Sequence, residues 1–293
     1  MYKSIMVPVA DAVQEHTALD AGVRVARASG ARLHVVHVQE SRTGAKHYAE
    51  AKALLAAANW ASDELDESVS FHVLERGPQD AHTSGIADTL HRYAAANSID
   101  LIVMGRRRHS LNRLLFGSIG ERLLLTQDAP ILFVPPREKV LPRRGCRILL
   151  ALDGTEPGEV LLDDAAQLAR ALDGTLTLTR VLAPIRNASS EAPAAVNAIV
   201  NEEGVYGESS ARAYLDETAE RIEAMGVKVR RYTVPGERVS PTVRKTASLE
   251  RVHIIALAPR AAPDALHFAP DSVTESLLRR AETALLARRR PSV

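Results

Sequence analysis

Short apolar runs alternate along the chain with longer stretches in which apolar residues recur at helical spacing. Residues 5–9 and 33–38 are two such runs, and the stretch between them is rich in alanine and ends at a turn containing Gly30. The pattern predicts a strand, a helix and a second strand. A unit of this length normally forms a right-handed parallel pair of strands.

The same pattern begins again near residue 146, with apolar runs at 148–152 and 176–181 and a turn at Gly174. The next predicted elements also occur in pairs: 47–65 with 209–225, 70–77 with 228–236, 81–95 with 240–248, and 99–105 with 252–258. A last strand is clear at 130–136, whereas its counterpart at 283–287 is much weaker. The chain is therefore predicted to be an internal repeat.

The fold class that follows is α/β, with two tandem, open, twisted and mostly parallel five-stranded sheets. Because the fourth strands are almost entirely apolar, helices should cover both faces of each sheet, in a Rossmann-like arrangement. We assign residues 1–138 to a first domain (copy one), 139–146 to a linker and 147–293 to a second domain (copy two). The last strands of the two copies could pair as an internal pseudo-dimer that covers their edges. The sequence also allows the whole chain to form a homodimer.

Composition narrows the choice of partners. The chain has 37 basic and 36 acidic residues, so overall charge does not support steering toward nucleic acid. Its only cysteine, Cys146, excludes an intrachain disulfide and suits a reducing compartment. The start of the sequence lacks the pattern of a signal peptide, and no apolar run approaches the length of a membrane span. We expect a cytoplasmic protein with no membrane or nucleic-acid partner.

Ligands of open parallel sheets bind beyond the carboxyl ends of the strands, where turns and helix N-termini expose backbone N–H groups. The candidate ligand-binding residues of copy one at these places are Pro8, Val9, Ala10, Asp11, Val38, Met104, Gly105, Arg106, Arg108, Gly117, Ser118 and Ile119. The weaker candidates of copy two are Asp153, Val181 and Ser272.

A family resemblance rests on the same places. The segments "VP" and "HV" at the ends of the first two strands, and "DLIVMG", "GSIGERLL" and "APILFVPP" further on, resemble the universal stress proteins in their tandem two-domain form. The resemblance implies an adenine nucleotide alpha hydrolase-like fold that binds ATP or AMP, or no ligand. It also implies a nucleotide signature, Gly-x2-Gly-x9-Gly-[Ser/Thr], preceded by an Asp two residues after the proline of strand one.

Copy one departs from that signature. Gly105 matches the first glycine, and Gly117 and Ser118 match the final pair, but the second glycine falls on Arg108 and the loop is one residue short. The signature Asp falls on Ala10, with Asp11 one place late. Two interpretations stay open: the arginines replace backbone amides as phosphate donors, or the loop is a solvated basic turn.

Copy two departs in the opposite way. Asp153 matches the signature Asp, but Ala258, Ala261 and Asp271 stand at the glycine positions before Ser272. Alanine lacks the conformational freedom of glycine, and a carboxylate repels phosphate. We therefore expect no nucleotide in copy two.

The resemblance implies that the backbone of Val38 holds the base edge in copy one, while Gly105, Gly117 and Ser118 hold the phosphates. Function would then be signalling or stress protection through occupancy, with at most slow ATP hydrolysis. The alternative is a ligand-free interaction scaffold, and an enzyme has only the fold analogy behind it. His34 and His37 should point to opposite faces of a strand, which disfavours a metal pair. Asp163 and Asp164 are interpreted as surface carboxylates of a helix.

Overall fold

The computed structural model describes most of both copies. The described residues are 1–10, 16–39, 68–75, 84–108, 114–115, 118–136, 141–182, 207–259, 273–280 and 282–290. The helix predicted at 47–65 and the candidate residues Asp11, Gly117 and Ser272 lie outside this part of the chain.

The described elements of copy one follow the predicted order, with an additional pair of two-residue strands. Its strands and helices are β1 Ser4–Pro8, α1 His16–Ser29, β2 Arg32–Gln39, β3 Val69–Glu75, α2 Ser84–Ala96, β4 Leu101–Gly105, β5 Arg107–Arg108, β6 Leu114–Leu115, α3 Ser118–Thr126 and β7 Ile131–Val134. The two-residue strands β5 and β6 pair with each other outside the main sheet.

The described elements of copy two repeat this order, and the counterpart of the β5–β6 ribbon falls in residues 260–272, outside the described part of the chain. Its elements are β8 Arg147–Leu152, a 3₁₀ turn Glu156–Glu159, α4 Leu162–Ala171, β9 Thr175–Leu182, α5 Glu208–Glu223, β10 Lys228–Pro235, α6 Val239–Leu249, β11 Ile254–Leu257, α7 Val273–Arg280 and β12 Ala284–Ala287.

The main strands of the described chain form one ten-stranded sheet in the order β10-β9-β8-β11-β12-β7-β4-β1-β2-β3. Strands are parallel within each copy, and the only antiparallel pair of this sheet is β12 with β7. The α/β prediction is confirmed. The two predicted five-stranded sheets are the two halves of a single continuous sheet.

The strand with the weakest sequence signal lies at the centre of that sheet. In β12, Leu285 pairs with Phe133 and Leu286 with Leu132, which confirms the predicted pairing of the last strands. All four β12 residues are buried. The strands on either side bury β12 and form hydrogen bonds with it. The short, alanine-containing sequence of β12 does not by itself indicate this burial.

Helices cover both faces of the sheet. Alternate residues of each strand point to opposite faces, so both faces carry apolar side chains that the helices bury. Leu33 and Val35 belong to one buried cluster, whereas Met6 and Val36 belong to the other, and each cluster contains residues of both copies. Helix α1 lies so close to β1 that a Cβ added at Gly22 would come within 2.5 Å of a Val7 methyl group.

The two copies also meet through polar contacts. The Tyr2 hydroxyl of copy one donates to the backbone carbonyl of Asp164 in copy two at 3.0 Å. Within copy two, Arg288 pairs with the Asp164 carboxylate at 2.9 Å. Asp164 is 6% exposed, so its interpretation as a surface carboxylate is wrong, whereas Asp163 is exposed. Burial raises the pKa of Asp164, and the Arg288 guanidinium opposes this shift.

Candidate functional site

The chain crosses from one side of the first strand to the other once in each copy. In copy one, β2 and β3 lie on one side of β1 and β4 lies on the other. In copy two, β9 and β10 lie on one side of β8 and β11 on the other. Open α/β sheets bind ligands at such switch points, beyond the carboxyl ends of the strands. The chain therefore has two candidate crevices, at the ends of β1 and β4 and at the ends of β8 and β11.

The copy-one crevice contains most of the predicted residues that are described. Pro8 ends β1, Val9 is buried, Ala10 is exposed, and Met104 and Gly105 end β4. The Val9 N–H donates to the Val36 carbonyl at 2.8 Å, so residue 36 presents its backbone groups toward β1.

Val38 lies two residues further along β2 and, by strand alternation, presents its N–H and C=O in the same direction as Val36. Because β1 ends at Pro8, which pairs with Val36, these groups point beyond the last residue of β1. The Val9 carbonyl accepts a hydrogen bond from His37 Nδ1 at 2.8 Å. A donor and an acceptor of one residue, side by side at a switch point, match the hydrogen-bonding edge of a planar heterocycle.

The loop after β4 has a different arrangement from a glycine-rich phosphate cradle. Arg107 pairs with Leu115 and Arg108 with Leu114, which forms the ribbon of β5 and β6. Helix α3 begins at Ser118, and Ile119 is half-buried against the hydrophobic core. The side chains of Arg108 and Ser118 lie outside the described set, so their proposed contacts with phosphate stay predictions.

Arg106, the first arginine of this loop, extends into copy two. Its guanidinium donates from Nη1 to the Leu278 carbonyl at 2.9 Å and from Nη2 to the Thr283 carbonyl at 2.6 Å. The residue is only 3% exposed, and burial lowers the pKa of its guanidinium to about 10. Leu278 lies in the last turn of α7, where the helix dipole favours a cation. Both terminal nitrogens of Arg106 therefore serve the contact between the copies.

The ribbon supports the same contact, because β6 lies against α7 of copy two. The loop that the sequence presents as a phosphate cradle thus docks one copy on the other. The sequence does not reveal this role, since the acceptors are backbone carbonyls 172 and 177 residues away.

The copy-two crevice is built around Asp153. Its Oδ1 accepts hydrogen bonds from the Thr155 N–H at 3.1 Å and the Thr155 hydroxyl at 2.7 Å. Its Oδ2 accepts from Arg290 Nη2 at 2.7 Å. The carboxylate matched to the family signature is therefore held by the chain itself.

A second arginine borders this turn. The Arg180 guanidinium lies against Gly154, where an added Cβ would be 2.7 Å from its central carbon, and 5.9 Å from the ring centre of Tyr214. Gly154 has φ +79°, so glycine is favoured there both by backbone conformation and by space. Val181, the next residue of β9, is half-buried against the core.

Comparison with known families agrees with this geometry. The model of the universal stress protein family matches the chain twice, over residues 1–135 and 146–289. The chain belongs to the universal stress protein family. It is a tandem member, with one family domain in each copy.

Solved structures of universal stress proteins share the tandem fold. A putative universal stress protein from Pseudomonas aeruginosa UCBPP-PA14 is similar over 99% of this chain and 94% of its own, at 18% identity and TM-score 0.65. A universal stress protein from Archaeoglobus fulgidus DSM 4304 is similar over 98% of both chains, at 16% identity and TM-score 0.61. No curated protein matches the chain. At these identities the likeness concerns the fold.

A histidine cluster of this universal stress protein lies near the amino ends of the copy-one strands, opposite the crevice. The Ser4 hydroxyl donates to the Asn97 carbonyl at 3.4 Å, so it accepts from His34 Nε2 at 3.1 Å. His34 Nδ1 then accepts from the Tyr93 hydroxyl at 2.9 Å, which defines a neutral tautomer. His72 stacks on His34 with ring centres 5.6 Å apart. Burial lowers the pKa of His34, and repulsion from His72 adds to the shift.

His34 and His37 have different partners in different places, which confirms their predicted separation on the strand. Within the described residues, no group of three His, Cys, Asp or Glu side chains could hold a metal ion. Nor does the described part of the chain contain a helix long and apolar enough to cross a membrane.

Proposed function

We propose that copy one binds an adenine nucleotide, ATP or AMP, in the crevice between the ends of β1 and β4. The protein would act in stress response or signalling through occupancy of this site. The observation that carries the proposal is the direction of the Val38 backbone, whose N–H and C=O point past the end of β1 at Pro8. These groups suit the edge of an adenine ring, as the family resemblance implies.

The phosphates would extend from Gly105 toward the start of α3 at Ser118, because a helix N-terminus attracts anions. Arg108 and Gly117 stay in the proposed site by their place in the loop. Arg106 is left out, because both of its terminal nitrogens donate to carbonyls of copy two.

The protein would be located in the cytoplasm. Support for this location is the single cysteine, Cys146, which is buried and whose thiol has a pKa raised by burial to about 12. Because a single cysteine cannot form an intrachain disulfide, the cysteine content fits a reducing compartment.

Calorimetric titration with ATP and AMP tests the binding, together with mass spectrometry of any ligand released by denaturing the freshly purified protein. Val38→Pro should weaken nucleotide binding at least tenfold, because proline removes the N–H that would contact the base. The Val38 N–H points away from β3, so proline removes no hydrogen bond of the β2–β3 ladder.

Val38→Ala is the matched control, since it shortens the side chain and keeps the N–H. It should bind nucleotide within about threefold of the unchanged protein. No binding to the unchanged protein at millimolar nucleotide would exclude the proposal. Equal affinities of the two folded variants would exclude the role of Val38.

A ligand-free interaction scaffold is the second candidate. The observation in its favour is the use of the copy-one loop for docking, through Arg106 and through β6 against α7. A scaffold of this kind would give no heat with nucleotide and would carry none on purification. The same calorimetric experiment therefore separates the two candidates.

A further inference from the structure

The chain continues beyond β12 with three consecutive arginines, each paired with a different carboxylate. Arg288 pairs with Asp164 at 2.9 Å, Arg289 with Asp128 of copy one at 3.0 Å, and Arg290 with Asp153 at 2.7 Å. The Asp128 side chain is 87% exposed, so its pair with Arg289 is a surface contact of little energetic weight. Arg290 is different, because its side chain is 16% exposed and lies in the copy-two crevice.

Arg290 spans the switch point of copy two. Its Nε donates to the Ala258 carbonyl at 3.0 Å, just beyond β11, and its Nη2 donates to Asp153 Oδ2, just beyond β8. Its Nη1 lies 3.3 Å from the Thr155 hydroxyl oxygen. One guanidinium therefore connects the two strand ends between which an open α/β sheet binds its ligand.

The turn after β8 is arranged to receive this group. Thr155 holds Asp153 Oδ1 with its N–H and its hydroxyl, which orients Oδ2 toward Arg290. A Cβ added at Gly158 would collide with Asp153 Oδ1, so glycine leaves the carboxylate its place. A carboxylate, a carbonyl and a hydroxyl oxygen thus converge on one planar group that has donors on three nitrogens.

Copy one has no arginine at the corresponding position. Gly105 pairs with Val134, two residues before Pro136. In copy two, Leu257 pairs with Ala287, so continuing the register by one residue places Ala258 beside Arg288, two residues before Arg290. Pro136 therefore corresponds to Arg290, and proline has no side-chain donor. The arrangement belongs to copy two.

We propose that the copy-two crevice is a guanidinium-binding site that Arg290 fills from within the same chain. The site consists of the Asp153 carboxylate, the Ala258 carbonyl and the Thr155 hydroxyl. Without the Arg290 side chain, it takes a small guanidinium compound or the arginine side chain of another molecule. An attached side chain acts at an effective concentration in the millimolar range or above, so external guanidinium does not compete with it at lower concentrations.

Chemical rescue tests the proposal. Arg290→Ala should have a lower melting temperature than the unchanged protein, and methylguanidinium at up to about 20 mM should raise it by about 2–4 °C. N-methylurea, a neutral compound of similar shape, should not. Methylguanidinium should not raise the melting temperature of the unchanged protein, in which the site is filled.

Two further variants make the test specific. Arg289→Ala removes the neighbouring arginine and should show no rise with methylguanidinium. Arg290→Ala combined with Asp153→Asn should also show no rise, because the carboxylate is gone. Equal shifts in Arg290→Ala and Arg289→Ala, or no shift in folded Arg290→Ala, would overturn the proposal.

Side-chain nitrogen NMR gives a second measurement that does not depend on the stability of Arg290→Ala. In the unchanged protein the Arg290 Nε–H should exchange with water at least tenfold more slowly than that of an exposed arginine, because it donates to Ala258. Arg290→Lys identifies the signal by its loss, and Asp153→Asn should abolish the protection. An Arg290 Nε–H that exchanges as fast as exposed ones would overturn the proposal.

Discussion

Replacing Arg106 with methionine is the sharpest test of how the two copies are held together. Methionine keeps an unbranched apolar side chain, shorter than that of arginine, and removes both hydrogen bonds, to the Leu278 and Thr283 carbonyls. A hydrogen bond from a charged donor contributes about 1.5–3 kcal/mol, so the two contribute about 3–6 kcal/mol. Part of this loss is offset, because the variant no longer buries a guanidinium charge, whose desolvation costs several kcal/mol. The expected net loss is about 2–4 kcal/mol.

Urea unfolding followed by far-ultraviolet circular dichroism measures this loss. Arg144→Met is the control, because Arg144 is exposed and lies in the segment between the copies. It should change the free energy of unfolding by no more than about 0.5 kcal/mol. If Arg106→Met falls within the same range, the docking role assigned to Arg106 is refuted.

The same variant separates docking from ligand binding. If Arg106 serves only the contact between the copies, Arg106→Met should bind nucleotide within about threefold of the unchanged protein. A tenfold or greater loss of nucleotide affinity in a folded variant would indicate that Arg106 contacts the phosphates. It would contradict a role for Arg106 in the contact between the copies alone.

Two other predictions concern stability. Because burial lowers the pKa of His34 and of His72, the unfolded chain binds protons that the folded chain does not, and the free energy of unfolding should fall as the pH drops below about 6.5. His34→Gln should flatten this dependence in thermal melts at pH 7.5 and 5.0. Gly22→Ala should cost about 1–3 kcal/mol in urea unfolding, because its Cβ meets Val7 at 2.5 Å. An unchanged midpoint would contradict the close packing of α1 on β1.

The repeat could be predicted from the sequence because local periodicity sets strands and helices, and both copies carry it independently. The apolar strand β4 and the turns at Gly30 and Gly174 are examples in which neighbours along the chain determine the structure. Strand β12 shows the limit of this reasoning. Its stability comes from β11 and β7 on either side, which its own four residues do not encode.

The positions of the candidate residues at strand ends were predictable from the sequence, but the contacts of the arginines were not. Sequence reasoning places Val38, Gly105 and Asp153 at the ends of strands, and the structure has them there. The partners of Arg106 and Arg290 are distant in sequence, the latter 137 residues from Asp153, and several of them are backbone carbonyls. Every residue has a backbone carbonyl, so no sequence motif can reveal which carbonyl an arginine binds.

An arginine near the signature positions of each copy donates to acceptors of the chain itself. A phosphate loop works by presenting backbone N–H groups to an anion, and glycine permits that approach. In copy two, Ala258 instead presents a carbonyl, and the chain meets it with the cation of Arg290. In copy one, Arg106 crosses to two carbonyls at the end of α7 and its adjoining turn. Both guanidinium groups donate to acceptors of the chain itself, so neither Arg106 nor Arg290 belongs to the proposed nucleotide site.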